Sequence, residues 1–311
     1  MKNHQENILV GAIEAGGTKF ICAIGTGPGN NILSKKIFST TKPEETIANV
    51  IDWFHQEESK QGKLNAIGIA SFGPIDLNKQ SPTYGFITST SKIDWQNTNF
   101  LGQIKEKFPD IPLGFDTDVN GAALGEYSWG NAKGLTDFIY ITIGTGIGAS
   151  GMVGGKLIHG LIHPEMGHMK LPPEPGDDFK GVCPFHGNCW EGLCSGPAMQ
   201  RRTGKRAETI SADHTAWLLE IKYIAAAIQN IVCVLSPQRI ILGGSVRKAG
   251  LLGEIKFFEM IHDQVRLSLN HYVSSPFLNE RISEYIVPPL LGDDAGICGA
   301  IALGQSAIRD M

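Results

Sequence analysis

Residues 8–40 read ILVGAIEAGGTKFICAIGTGPGNNILSKKIFST, three runs rich in β-formers separated by glycine turns. Such runs joined by short turns predict strands connected as hairpins. A helix follows. In PEETIANVIDWFHQEESK (43–60), Ile47, Val50, Ile51 and Phe54 fall at i, i+3, i+4 and i+7, one helical face, with Pro43 near the start. AIGIAS (66–71) then reads as a buried strand. This mixed order differs from the strict βαβ alternation of a dinucleotide-binding domain. About 130 residues on, DFIYITIGTGIGASGMVGGKLIHG (137–160) again gives strand, glycine turn, strand, turn, strand, so the chain reads as a duplication.

Between the repeats, LGFD (113–116) reads as a strand and DVNGAALGEYSWG (118–130) as a helix. Asp116 and Asp118 thus fall at a strand-to-helix junction, where open α/β sheets bind ligands. Further on, SADHTAWLLEIKYIAAAIQNIVCVLSP (211–237) reads as a long apolar helix stopped by Pro237. QRIILGG (238–244) is a strand ending in a Gly-Gly turn, and DDAGICGAIALGQSAI (293–308) is helical despite its glycines. At 311 residues the chain exceeds one ordinary core, which predicts two domains with a cleft between them.

The 27 basic and 31 acidic residues leave a net charge of -4, no electrostatic footprint for nucleic acid or an anionic membrane. The opening MKNHQENILVGAI has too short an apolar run for a signal peptide, and no later stretch approaches a membrane span; a soluble, cytoplasmic protein is expected. Of the six cysteines, Cys22, Cys233 and Cys298 sit in apolar segments as buried thiols do, while Cys183, Cys189 and Cys194 cluster.

Two glycine turns bear hydroxyls, Gly16-Gly17-Thr18-Lys19 and Gly144-Thr145-Gly146-Ile147-Gly148, at equivalent places in the two halves. Glycine there lets backbone N–H groups approach phosphate oxygens, and threonine adds a donor. Hairpin turns of this kind often bind nothing; the duplication is what favours phosphate. Neither matches a Walker A loop or a Rossmann fingerprint. Cys183-x2-His186-x2-Cys189, with His168 upstream, makes a Cys2His2 set suited to structural zinc (Zn2+), since four protein ligands leave no open position for catalysis. That ion would hold together the segments carrying Glu165 and Glu191.

In order, ILVGAIEAGGTK, DTDVNGAALGE, ITIGTGIGASGMVGGKL, HPEMGHMKL, CPFHGNCWEGL and ILGGSV resemble the ROK family of repressors, open reading frames and kinases, with HPE and CPFHGNCWEG most like its fructokinase branch. The resemblance implies a two-domain, actin-like ATPase fold of ribonuclease-H-like topology. Its domains would be 1–118 and 119–293, with the final helix 294–311 packing back on the first and a zinc-stabilised loop, 163–196, in the second. The site would be the interdomain cleft. ATP would lie on both glycine turns (Gly16, Gly17, Thr18, Lys19; Gly144, Thr145, Gly146), with Gly196 and the turn Gly243-Gly244-Ser245. Glu14, where many relatives carry aspartate, would face magnesium (Mg2+).

By the same resemblance a hexose would lie between Asp118, Glu165 and Glu191, near His168, with Gly73, Pro74 and the segment 89–97 (STSKIDWQN, with Lys92 and Trp95) as a wall. Asp118 would be the general base. Many relatives have Glu-Asn-Asp where this chain has Asp116-Thr117-Asp118, a departure that bears on the sugar contacts. Fructose and its 6-hydroxyl are the implied acceptor, and a homodimer the implied assembly. Glucose, mannose and N-acetylmannosamine remain as alternative substrates. A sugar-responsive repressor would add an N-terminal helix-turn-helix, whereas seven residues precede the first strand and no basic helix is present. A filament-forming actin relative would have no need of the carboxylates beside the zinc set.

Overall fold

The computed structural model describes residues 8–309; Met1–Asn7, ahead of the first strand, and Asp310–Met311, at the end of the expected final helix, lie outside the described residues. The chain forms two compact units: one takes the chain through Lys133, His159–His163 and everything from Leu290, the other Gly134–Ile158 and Pro164–Pro289.

In the first unit β1 (Val10–Ala15), β2 (Lys19–Gly25) and β3 (Ile32–Ser39) form an antiparallel meander. After α1 (Pro43–Gln61), β4 (Ala66–Ser71) pairs parallel with β1. A short ribbon, β5 (Phe86–Ile87) with β6 (Thr98–Asn99), and α2 (Phe100–Lys107) precede β7 (Leu113–Thr117), which is parallel to β4 and leads into α3 (Asp118–Trp129). The sheet order is β3-β2-β1-β4-β7. Strand β4 reads as an apolar run ending in Ser71, and β1 as one interrupted by Glu14, because both their faces are covered. Ile13, Ile67 and Ile69 join Ile47, Val50, Phe54, Trp95 and Phe100 in one core. Val10, Ala12, Ala66 and Ala70 face a second, built from smaller side chains.

The second unit repeats the plan. Strands β8 (Phe138–Ile143), β9 (Ile147–Val153) and β10 (Lys156–Leu157) are antiparallel. They are followed by α4 (Trp190–Cys194), α5 (Gly196–Thr203), α6 (Ala216–Leu235), β11 (Arg239–Gly243), α7 (Glu254–Leu269), α8 (Ile282–Tyr285) and β12 (Ile286–Val287). Here β11 is parallel to β8 and β12 to β11, giving β10-β9-β8-β11-β12. Order and strand sense match the first sheet, as a duplication predicts. The last helix, α9 (Ala295–Arg309), belongs to the first unit.

Several expectations change. The strand expected over 156–160 stops at Leu157, because His159 turns away to bond Asp116. The long helix begins at Ala216, not Ser211; the His214 ring accepts the Ala216 N–H at 3.1 Å in the turn before it. Cys233 is exposed on that helix, whereas Cys22 and Cys298 are buried. At 20 residues and a mean hydropathy of 1.7, α6 is long and apolar enough to cross a membrane by length and composition, contrary to the sequence reading; half of it is buried, with Trp217, Ile221, Ile224 and Ile228 in the unit's core. Finally, α3 lies in the first unit, which runs past position 118 to Lys133.

Packing explains that last point. Helices α3 and α9 meet through glycines: a Cβ on Gly125 would stand 2.6 Å from the Ala295 carbonyl oxygen, and one on Gly299 would overlap the Gly121 carbonyl. The buried Glu126 carboxylate then accepts N–H groups from Asn131 at 2.7 Å, Leu291 at 2.9 Å and Leu290 at 3.2 Å, pinning the chain where it re-enters the unit. In an exposed helix Gly→Ala gains about 1 kcal/mol. Gly299→Ala should instead destabilise by about 1–3 kcal/mol through overpacking, read as a lower urea midpoint.

Candidate active site and metal centre

The β1–β2 turn is held by its own backbone and by Thr40. Gly16 N–H donates to the Lys19 carbonyl at 3.0 Å, the Thr40 hydroxyl to the Gly16 carbonyl at 2.8 Å, and Thr40 N–H to the Thr18 carbonyl at 3.0 Å. Thr18 and Lys19 stay exposed. Just before the turn, the Glu14 carboxylate lies against Gly296 in the first turn of α9, its Oε2 buried without a hydrogen-bond partner among the described residues. Burial first, and then the charge of Asp118, push this carboxyl up to about 7; Lys19 and Lys35 pull the other way. A buried carboxylate oxygen lacking a donor is a site a hydrated cation satisfies.

Asp118 opens α3. The Thr117 hydroxyl, buried, caps the helix by accepting the Asn120 N–H at 3.1 Å, so Thr117 serves the helix terminus. Asp118 accepts the Val119 N–H at 2.8 Å, and burial outweighs its backbone donors to raise its carboxyl to about 6. Asp116 is buried and structural: it accepts Thr117 N–H at 2.8 Å and Asn120 Nδ2 at 2.9 Å, and pairs with His159 Nε2 at 2.8 Å. That hydrogen bond raises the His159 pKa above its ordinary value. Nearby, His163 accepts the Ile75 N–H at 3.1 Å, its ring 3.3 Å from where a Cβ on Gly73 would sit. The sequence reading singled out neither histidine, although His163 opens the HPE motif. Gly73 is thus backed by the His163 ring, and the Lys92 stem lies over Gly17.

In the second unit the glycine turn, Gly196 and the Gly243-Gly244-Ser245 turn come together. Gly144 N–H donates to the Gly146 carbonyl at 2.9 Å, and Gly196 N–H to the Gly144 carbonyl at 2.7 Å. Ser245 Oγ is 3.7 Å from the Gly144 Cβ position. Gly244 has φ 86°, and a side chain there would run into the Ile143 backbone. Thr145 is exposed at the tip. The turn's far end is fixed by Glu191, whose Oε2 accepts the Ile147 N–H at 2.9 Å.

Glu191 sits on α4, whose N-cap is Cys189. Ligand atoms of His168, Cys183, His186 and Cys189 all lie within 4.8 Å of one another. Cys189 Sγ is 3.5 Å from His168 Nδ1, and Cys183 Sγ is 3.7 Å from His168 Nδ1 and 3.6 Å from His186 Nδ1. A tetrahedral ion with Zn–S of about 2.3 Å and Zn–N of about 2.0 Å requires S···N edges of about 3.5 Å. These residues fit zinc. Cys183 and Gly187 exchange backbone hydrogen bonds at 3.2 and 2.9 Å, so the Cys-x2-His-x2-Cys segment is a tight hairpin. His168 ends a one-turn helix, Met166–His168, and its Nε2 lies 3.9 Å from Glu165 Oε2, linking the exposed Glu165 to the metal set.

The ROK family model matches residues 10–307. A fructokinase of Pediococcus pentosaceus is 44% identical over 304 residues, covering 97% of this chain and 100% of its own. One of Lactococcus lactis subsp. cremoris is 42% identical over 300 residues, 96% of each. The crystal structure of a ROK family glucokinase from Streptomyces griseus, in complex with glucose and AMPPNP, superposes with a TM-score of 0.71 at 22% identity over 96% of this chain and 99% of that one. The chain therefore belongs to the ROK family, and its fold is the actin-like fold of that family's sugar kinases.

Proposed function

We propose that this protein is an ATP-dependent fructokinase that moves the γ-phosphoryl group of ATP to the 6-hydroxyl of fructose. Identity above 40% to fructokinases over nearly the whole chain carries the reading. The glycine turns 16–18 and 144–146, with Gly196, Gly243, Gly244 and Ser245, offer backbone N–H and hydroxyl donors to the nucleotide phosphates. Glu165, His168 and Glu191 accept or orient sugar hydroxyls, and Gly73-Pro74 forms part of the wall. Carboxylates suit polyols because each accepts several hydrogen bonds.

Asp118 takes the proton of the attacking hydroxyl as the sugar oxygen bonds to phosphorus and the bond to the β-phosphate oxygen breaks, releasing ADP. Its carboxyl at about 6 leaves it mostly ionised at neutral pH, ready as a base. Magnesium, when bound with ATP, supplies charge neutralisation at the phosphates, and Glu14 bears on it through water. Zinc, when bound to His168, Cys183, His186 and Cys189, supplies rigidity.

An ATP-coupled assay over a hexose panel tests the reading: fructose should give the highest kcat/KM, and a preference for glucose, mannose or N-acetylmannosamine would displace it. Asp118→Asn should lower kcat by about 100-fold or more while both substrates still bind. A base must be deprotonated to act, so kcat/KM should fall about tenfold per pH unit below about 6 and level off above it. A flat acid limb would remove Asp118 as the base. Metal analysis should find about one zinc per chain, absent from Cys183→Ser.

A further inference from the structure

The expected sugar wall included Lys92, yet its side chain lies over the phosphate-side turn. Cε stands 3.5 Å and Cδ 4.0 Å from where a Cβ on Gly17 would sit, and nothing else approaches that position within 4 Å. The ammonium is one bond beyond Cε, so it is carried at the glycine turn. The lysine is half-buried, and its ammonium has no hydrogen-bond or ion-pair partner among the described residues.

Its backbone is tied to the same turn. Lys92 N–H donates to the buried Thr90 hydroxyl at 3.3 Å, and the Lys92 carbonyl accepts the Trp95 N–H at 2.9 Å. Trp95, 1% exposed, packs tilted against Phe20 at 5.3 Å, next to the turn in sequence, and edge-on against Phe72 at 5.6 Å. Its indole N–H donates to the Thr41 carbonyl at 2.8 Å. Thr41 follows Thr40, the residue that holds Gly16 and Thr18. One chain of contacts, Lys92–Trp95–Thr41–Thr40–Gly16, thus fixes a lysine stem against a backbone with no side chain of its own.

We propose that Lys92 is a catalytic residue whose ammonium binds the phosphoryl group in transit, not the sugar. The assignment rests on the kinase reading. Glycine at position 17 leaves both the lysine and a phosphate room at one place, and a cation there neutralises charge on the non-bridging oxygens as the phosphoryl group moves. Lys92 keeps its proton throughout; the proton lost by the sugar goes to Asp118.

The test compares wild type, Lys92→Met, which keeps the apolar stem over Gly17, and Lys92→Arg, which keeps the charge. Lys92→Met should lose about 100-fold or more in kcat and bind ATP about tenfold more weakly, while ADP and fructose affinities by calorimetry change by less than about twofold. Lys92→Arg should recover part of kcat. Lost fructose affinity with unchanged nucleotide binding would return Lys92 to the sugar wall and overturn the proposal, as would near-normal kcat and ATP affinity in folded Lys92→Met. Wild type that phosphorylates no hexose would sink the kinase reading instead; the ATP-against-ADP titration of Lys92→Met would still decide whether Lys92 holds the terminal phosphate.

Discussion

The hydrogen bond from Ile147 N–H to Glu191 Oε2 is the constraint on which the second unit's site depends. One carboxylate oxygen closes the glycine turn. Glu191 can do this only because α4 starts where it does, and that start is Cys189, whose sulfur belongs to the Cys2His2 set. A metal ion bound at that set would fix a helix start, and the helix would hold the carboxylate that closes the glycine turn. His168 extends the linkage to Glu165 through its other ring nitrogen. A lone surface glutamate would spend conformational entropy to reach the same geometry; a metal-anchored one has lost it already.

The two sheets share a plan, and each places a glycine turn between its first two strands, but the turns are secured differently. In the first unit Thr40 at the end of the third strand holds the turn from outside. In the second, Glu191 and Gly196 hold it from an insertion the first unit lacks. Duplication explains the shared frame. The insertion explains the asymmetry: its carboxylates Glu165 and Glu191 belong to one unit, Asp118 to the other.

What the sequence made legible follows from local physics. Val10–Ala15, Ala66–Ser71 and Phe138–Ile143 announce themselves as strands because buried strands are continuous apolar runs. The metal set was legible because three of its ligands, Cys183, His186 and Cys189, fall at local spacing within one hairpin, with His168 a short way upstream. The end of the first unit was not, since the docking of α3 on α9 depends on Gly125 meeting Gly299 across the fold. For the same reason the approach of Lys92 to Gly17 and the Asp116–His159 pair were invisible: each links positions distant in sequence, and no periodicity encodes the meeting. Cys233 misled because apolar neighbours in α6 do not say which side of a helix a residue takes.

The central claim is that the metal set organises the sugar-binding carboxylates, and it is tested most directly by calorimetric titration of fructose into zinc-replete and zinc-stripped protein, with circular dichroism confirming that both are folded. The account predicts that removing zinc weakens fructose binding by at least about tenfold and that restoring zinc recovers it. Unchanged fructose affinity in folded, zinc-free protein would contradict it.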